Sequence, residues 1–377
     1  MTEEGFTITR AIQSRPWPAA SANLEYAAVW GARGSIARDV PRTADDVPVR
    51  QISTLLEPAG RVEGHPARLI ENSGIAFIGC YVLGMGFVVK PEEAQEWIAA
   101  DPRNAEVLFP YLNGEDLNSR PDASAARWVV DFNTRTEQES ASYAIPFQRV
   151  QERVRSERNS KPKAVRESPW WQFLRTRPAM RSAIAGLSEV LVIARVSKTV
   201  MPLRVNTGQI PSEACVVFAT EDFGDQAVLS SSLHQIWAIT YGSGMRNDPR
   251  YTPSDVFDTF PRPRATDELV KLGRQLDEVR REIMLRRKLG LTRVYNMVND
   301  ATLAPSMDED IALLRQTHIE LDRVVVGAFG WDDVDLGHGF HSHRKMERWT
   351  VSPEARIELL DRLLEENQHR SMVARTA

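Results

Sequence analysis

The stretch 189-EVLVIARVSKTVMPLRVNTGQIPSEACVVFAT-220 decides how the chain is read. It opens with EVLVIARV, a short apolar run with Arg195 near its end, and closes with CVVFAT. Short runs rich in valine and isoleucine, with proline and glycine between them, read as buried strands. Upstream, ARWVVDF at 126–132 is a further strand, and Gln148 to Arg158 is a polar helix. EEAQEWIAAD at 92–101 is helical, with acids in its first turn where the helix dipole favours them. IAFIGCYVLGMGFVV at 75–89 is broken by Gly79, Gly84 and Gly86 and reads as strand, turn, strand. LSSSLHQIWAITYGS at 229–243 begins as a helix with serine caps. Residues 56–264 are therefore mixed α/β.

The flanks differ. Residues 1–55 hold two strand candidates, GFTITRAIQS and LEYAAVW, parted by Pro16–Trp17–Pro18 and ended by Gly31 and Gly34. Two strands cannot bury a core, so this piece reads as the edge of something larger. Residues 265–377 are helical. Thr266 is a candidate N-cap, followed by Leu269, Leu272, Leu276, Val279, Ile283 and Leu285 at roughly helical spacing, with Gly290 as the expected stop. A second helix spans 308–329 and a third 352–370, capped by Ser352 with Glu354 in its first turn. PRPR at 261–264 reads as the linker. The fold class is α+β: a β piece, a mixed centre and a helical end.

Composition bounds the function. The 377 residues are 42% hydrophobic and 26% charged, which fits a globular chain of roughly two or three domains. No run approaches the roughly 20 apolar residues of a membrane span. MTEEGFTITR lacks a secretory pattern, and Cys80 and Cys215 sit in strand-like surroundings as buried thiols, so a cytoplasmic location is expected. The net charge of −4 excludes a wholly basic DNA coat but not a local basic face. Such a face runs from Arg135 to Arg204, with fourteen Lys and Arg against six Glu. Neutralising phosphates needs this kind of local excess. Trp170, Trp171 and Phe173 interleave with it; the blander alternative is a solvated helix with a tryptophan pair in the core.

Catalytic constellations are missing. His338, His341 and His343 cluster in GHGFHSH, but zinc sites usually need four ligands and none completes the set, so a surface loop without metal is expected. There is no Gly-x-Ser-x-Gly elbow and no P-loop. Gly84–Met85–Gly86 and Gly242–Ser243–Gly244 lack the third glycine of a dinucleotide loop. Glu92–Glu93 and Asp308–Glu309–Asp310 sit where helix N-termini want negative charge.

The order of motifs resembles the C-terminal half of MmeI-like, type IIL adenine-specific DNA methyltransferases and their DISARM- and BREX-related relatives in phage defence. The matching segments are AIQSRPWPAA with LEYAAVW, then FIGCYVLGMGFVV, VLFPYLNGEDLNSRPD and ARWVVDF. ESPWWQFLRTRP, VLVIARVSKTVMPLRV and RYTPSDVFDTFPRP follow, then GLTRVYNMVND, LRQTHIELDRVVVGAFGWDDVDLGHGF and ARIELLDRLLEENQHR. The resemblance implies three parts: the last strands of a Rossmann-like methyltransferase domain at 1–55, a DNA target recognition domain at 56–264 and a helical C-terminal domain at 265–377. It implies base reading in two places. One holds Arg195, Ser197, Lys198 and Arg204; the other holds Ser243, Met245, Arg246, Asn247 and Arg250. Arg153, Arg155, Arg158, Lys161 and Lys163 become candidates for phosphate.

Full-length members carry a methyl-donor glycine motif and an Asn-Pro-Pro-Tyr/Phe motif, and this sequence contains neither. A flipped adenine needs that acceptor loop. The chain is thus expected not to transfer methyl groups alone. Its implied partners are double-stranded DNA, a catalytic domain or subunit in trans holding S-adenosylmethionine, and nuclease or helicase subunits. The alternatives are a protein-interaction scaffold and a truncated, inactive remnant.

Overall fold

The computed structural model describes residues 5–18, 25–34, 36–37, 40–49, 51–53, 56, 58, 60–62, 64–245, 248–343 and 346–376. They form two compact units, residues 1–67 with 352–377 and residues 68–351.

In the first unit, β1 (Phe6–Pro16), β2 (Glu25–Arg33), β3 (Arg42–Ala44) and β4 (Val47–Val49) make one sheet in the order β2-β1-β3-β4. The β1–β2 pair is an antiparallel hairpin. Ile8, Ala11, Ile12 and Ala44 are buried, while Trp17, Val29, Trp30 and Val47 are exposed.

The second unit holds β5 (Ala76–Ile78), β6 (Val88–Val89), β7 (Leu108–Leu112), β8 (Arg127–Val130), β9 (Glu189–Ala194), β10 (Leu203–Asn206), β11 (Ile210–Pro211) and β12 (Cys215–Phe218). Two hairpins follow, β13 (Ser243–Met245) with β14 (Asp248–Arg250) and β15 (Gly339–His343) with β16 (Met346–Thr350). Its helices are α1 (Pro91–Ala100), α2 (Gly114–Ser119), α3 (Glu137–Ala141), α4 (Ala144–Asn159), α5 (Lys163–Arg166) and α6 (Pro178–Ile184). They continue with α7 (Phe223–Ser230), α8 (Ser232–Tyr241), α9 (Asp267–Arg287), α10 (Leu291–Val298) and α11 (Glu309–Ala328). The last helix, α12 (Pro353–Thr376), belongs to the first unit. There the Asp361 carboxylate accepts from Arg61 N at 2.7 Å, and the Asn367 side chain pairs with both backbone groups of Ala67.

The decisive stretch folds as read. Val190 to Ala194 are at most 5% exposed, and so are Cys215 to Phe218, because β9 and β12 lie at the centre of the sheet β10-β9-β12-β5. A strand covered on both faces carries a continuous apolar run, not an alternating one. All three pairings in this sheet are antiparallel. The C-terminal ends of β5 and β9 and the N-terminal end of β12 therefore share one edge. The second sheet, β11-β7-β8-β6, joins it there: Cys80 N donates to Pro211 O at 2.8 Å and Ser212 N to Leu112 O at 2.8 Å. A Cβ on Gly79 would stand 2.2 Å from Ser212 O, so this junction admits only glycine. Burial pushes the Cys80 thiol up to about 11 and the Cys215 thiol up to about 12, which makes both inert.

Thr266 caps α9 through Leu269 N, Ser231 caps α8 and Ser352 Oγ accepts from Ala355 N, as their sequence positions predict. Three details depart from the reading. The α9 helix ends at Lys288, which takes the left-handed φ of 55° itself. Gly290 instead begins α10, and a Cβ there would lie 2.3 Å from the carbonyl carbon of Ser119, so close approach explains it. The PRPR segment is not a free linker: Arg262 donates to Asn72 Oδ1 and to Asp225 Oδ1, both at 2.9 Å. GHGFHSH is no surface loop, since residues from Gly339 onward form strand β15. IAFIGCYVLGMGFVV does yield strand, turn and strand as read, with β5 and β6 in two different sheets and a 3-10 turn, Met85–Phe87, between them.

Candidate nucleic-acid interface

The shared strand edge gathers four charged side chains from four segments. Arg195 follows β9, and its N–H donates to Ala214 O at 2.7 Å, which sets Glu213 beside it. Arg250 ends β14. It is held across from Val196 by a β-bridge, while Tyr251 N donates to Arg195 O at 2.7 Å. Arg177 precedes α6 with a left-handed φ of 59°, and its Nε donates to Gly79 O at 3.0 Å. A non-glycine residue held there costs about 1–3 kcal/mol, so its surroundings must fix it. Tyr251 anchors β14 from beneath. Its hydroxyl meets His234 Nε2 at 2.8 Å, and the other ring nitrogen meets Leu229 O at 2.9 Å. Burial drives His234 down to about 4, so the anchor is a neutral imidazole near neutral pH.

These charges do not neutralise one another. Burial lowers the pKa of Arg195, and the neighbouring Arg250 and Arg177 lower it further, opposed by Glu213. Burial raises the Glu213 carboxyl, against the pull of Arg195 and Arg177. Among the described residues, Arg195, Arg250 and Glu213 make no side-chain hydrogen bond or ion pair with each other. The Arg195 Nε is shielded from solvent with no acceptor among the described residues. A half-buried edge with three guanidinium groups and one carboxylate presents positive potential and unused hydrogen-bonding capacity.

The sequence candidates sort by burial. Arg195 and Arg250 lie at the edge with exposed Lys198, and Ser243 pairs with Arg250 across the β13–β14 hairpin. Two candidates do not belong there. Ser197 is buried, with its hydroxyl 3.3 Å from Asn118 Oδ1 and accepting from Thr199 N. Arg204 is buried, donates to Glu221 O and Gln226 Oε1, and lies 3.9 Å over the Phe223 ring. Both are corrections: a side chain buried inside the protein and turned to partners there does not present itself to a base edge. Arg246, Asn247 and the Met245 side chain lie outside the described residues.

The phosphate candidates sort the same way. Arg153 and Arg155 are exposed on α4, and Lys163 is exposed on α5. Lys161 is partly covered, 4.0 Å from Glu157. Arg158 leaves the set: it is 1% exposed and donates to the carbonyls of Val82, Leu83, Pro169 and Gln172. It thereby ties α4 to the loop that carries Arg175 and Arg177 to the edge. The tryptophans order this loop as well, Trp171 Nε1 donating to Arg135 O at 3.0 Å and Trp170 lying under Arg155.

Gly84 and Gly86 look most like a ligand-cradling loop, yet a Cβ on Gly86 would sit 2.6 Å from the Arg153 Cβ. The space a side chain would need at Gly86 is taken by Arg153 and Val154, so these glycines let α4 approach. His338 Nε2 is 2.8 Å from Asp322 Oδ2, and among the described residues no group of three potential ligands is placed to hold a metal ion.

Comparison with known proteins adds to this geometry. Residues 77–264 match the family described as MmeI, target recognition domain. The chain carries an MmeI target recognition domain. Arg177, Arg195, Glu213 and Arg250 all fall inside it, as does α4. A solved structure of the type IIL restriction-modification enzyme MmeI in complex with DNA matches with a TM-score of 0.67 at 18% identity. The match covers 98% of this chain and 46% of that one, so the chain spans about half the length of that enzyme. At this identity the likeness is one of fold, and it agrees with the mixed α+β architecture. No curated protein matches the sequence.

Within the MmeI target recognition domain, sequence reasoning passed over two edge residues. Arg177 counted only toward bulk charge; its position before Pro178, where a helix begins, was the available signal. Glu213 lies in a turn without periodicity and carried none.

Proposed function

We propose that this chain is the DNA-reading part of an adenine-N6 DNA methyltransferase of the type IIL restriction-modification kind. The carrying observation is the convergence of Arg195 and Arg250, unpaired with any acid among the described residues, at one strand edge inside residues 77–264. An edge of this kind suits the major groove, where a guanidinium fork matches guanine O6 and N7. Lys163 and the exposed arginines of α4 suit the phosphate backbone, which positions a protein without specifying sequence. S-adenosylmethionine and the acceptor loop belong, on this reading, to a catalytic domain or subunit in trans. The exposed Trp17, Val29, Trp30 and Val47 on the first sheet support such a protein partner. No helix among the described residues is long and apolar enough to cross a membrane.

Selection from random duplexes tests the reading. Arg250→Ala is expected to weaken the choice at one base pair by about tenfold and leave the other positions intact. An unaltered motif removes Arg250 from base reading. A wild-type chain that prefers no duplex sequence over another overturns the function itself. Lys163→Ala separates the phosphate role. Its exposed partner Glu167, 3.8 Å away, contributes little to stability, so folding should be unchanged. The slope of log affinity against log salt should become shallower by about one unit for every sequence. A loss confined to one sequence contradicts that role.

A further inference from the structure

Resting on the DNA-reading function above, we infer that Glu213 is a specificity-determining residue that reads cytosine, its carboxylate accepting from the 4-amino group while Arg195 donates to the paired guanine. In the major groove a C·G pair shows an amine donor next to two strong acceptors. The strand edge shows the reverse pattern, a carboxylate next to guanidinium donors. The hydrogen bond from Arg195 N to Ala214 O fixes the two residues in register, one position apart.

The absence of an ion pair carries the argument. Arginines and carboxylates elsewhere in this unit close on each other, as Arg149 does on Glu93 at 2.6 Å and Arg181 on Asp131 at 2.7 Å. Glu213 lies within electrostatic reach of Arg195 and Arg177, yet among the described residues it forms no ion pair and no side-chain hydrogen bond. Arg177 is held back by its bond to Gly79 O. Burial raises the carboxyl pKa, and the charges of Arg195 and Arg177 oppose that rise, toward the ionised form that accepts. A half-buried carboxylate held off its neighbours suits an outside donor. It also rejects the wrong base, because thymine at that place turns its O4 acceptor toward the negative charge.

The test is selection of random duplexes by the full chain and by Glu213→Ala and Glu213→Gln. Wild type should select one C·G position that both variants relax by about tenfold, every other position being kept. The kept positions report that the variants fold. A duplex with 2-pyrimidinone, a cytosine lacking its amino group, at that position should weaken wild type about tenfold and Glu213→Ala hardly at all. Retention of every cytosine position by Glu213→Ala overturns the inference while leaving DNA reading intact. Relaxation at an adenine position overturns the cytosine assignment. A wild-type chain with no motif removes the underlying function along with it.

Discussion

Replacing Arg158 by alanine should cost the chain about 4 kcal/mol of stability, the penalty for breaking a buried charged network from one side. The side chain is 1% exposed and reaches five acceptors. It donates to Gln172 O at 2.7 Å, Val82 O at 3.0 Å, Pro169 O at 3.2 Å and Leu83 O at 3.3 Å, and to Ser168 Oγ at 3.4 Å. Truncation would leave several carbonyls without a donor where water cannot easily follow, and each such group costs about 1–3 kcal/mol. Arg158→Lys should recover only part of the loss, because a point charge with three donors cannot span both segments as the planar fork does. Urea unfolding followed by tryptophan fluorescence measures the difference. A change within about 0.5 kcal/mol, the range of ordinary surface substitutions, would show that the side chain is not buried as described. A phosphate contact on the surface predicts that small change, so the measurement also decides between the two roles.

The same residue shows what a sequence conceals. Arg153, Arg155 and Arg158 look alike as letters, and charge alone places all three on a solvated face. The structure buries only the last. Val150, Val154 and Arg158 recur every four residues and form one stripe toward the core, so the signal was present in the spacing. Caps and central strands were readable for local reasons: a threonine before an apolar-periodic run, a valine-rich run between turn residues. The stop of α9 was not, because Gly290 is demanded by the backbone of Ser119, far away in the chain. Nor was the edge. Arg195, Glu213 and Arg250 meet through pairings between strands separated by tens of residues, and nothing within any one segment announces its partner. Composition over 135–204 gave the excess of positive charge, but strand register decides which of those charges stay unpaired.

Gly273→Ala sets two magnitudes against each other. In an exposed helix interior, alanine stabilises by about 1 kcal/mol over glycine. Gly273 lies in the interior of α9 but is buried against α7, where a Cβ would stand 1.8 Å from Phe223 O and 2.7 Å from the Phe223 carbonyl carbon. The obstacle is backbone, so no rotamer relieves it, and the helices must part. Parting them would disturb the Gln226–Asp277 hydrogen bond of 2.8 Å and the stacking of Arg204 and Arg274 on Phe223. Overpacking a close interface typically costs about 1–3 kcal/mol and more where backbone blocks the way, so a net loss of about 3 kcal/mol is expected. Denaturant unfolding gives the sign directly. A stabilised variant would mean that the two helices do not touch at this glycine. Because α7 follows β12 by only a few residues, a displaced α7 should also pull on the strand that begins at the edge. The destabilised variant should therefore lose duplex preference in conditions where it is still folded, whereas a change remote from that strand would lower stability and leave the preference untouched.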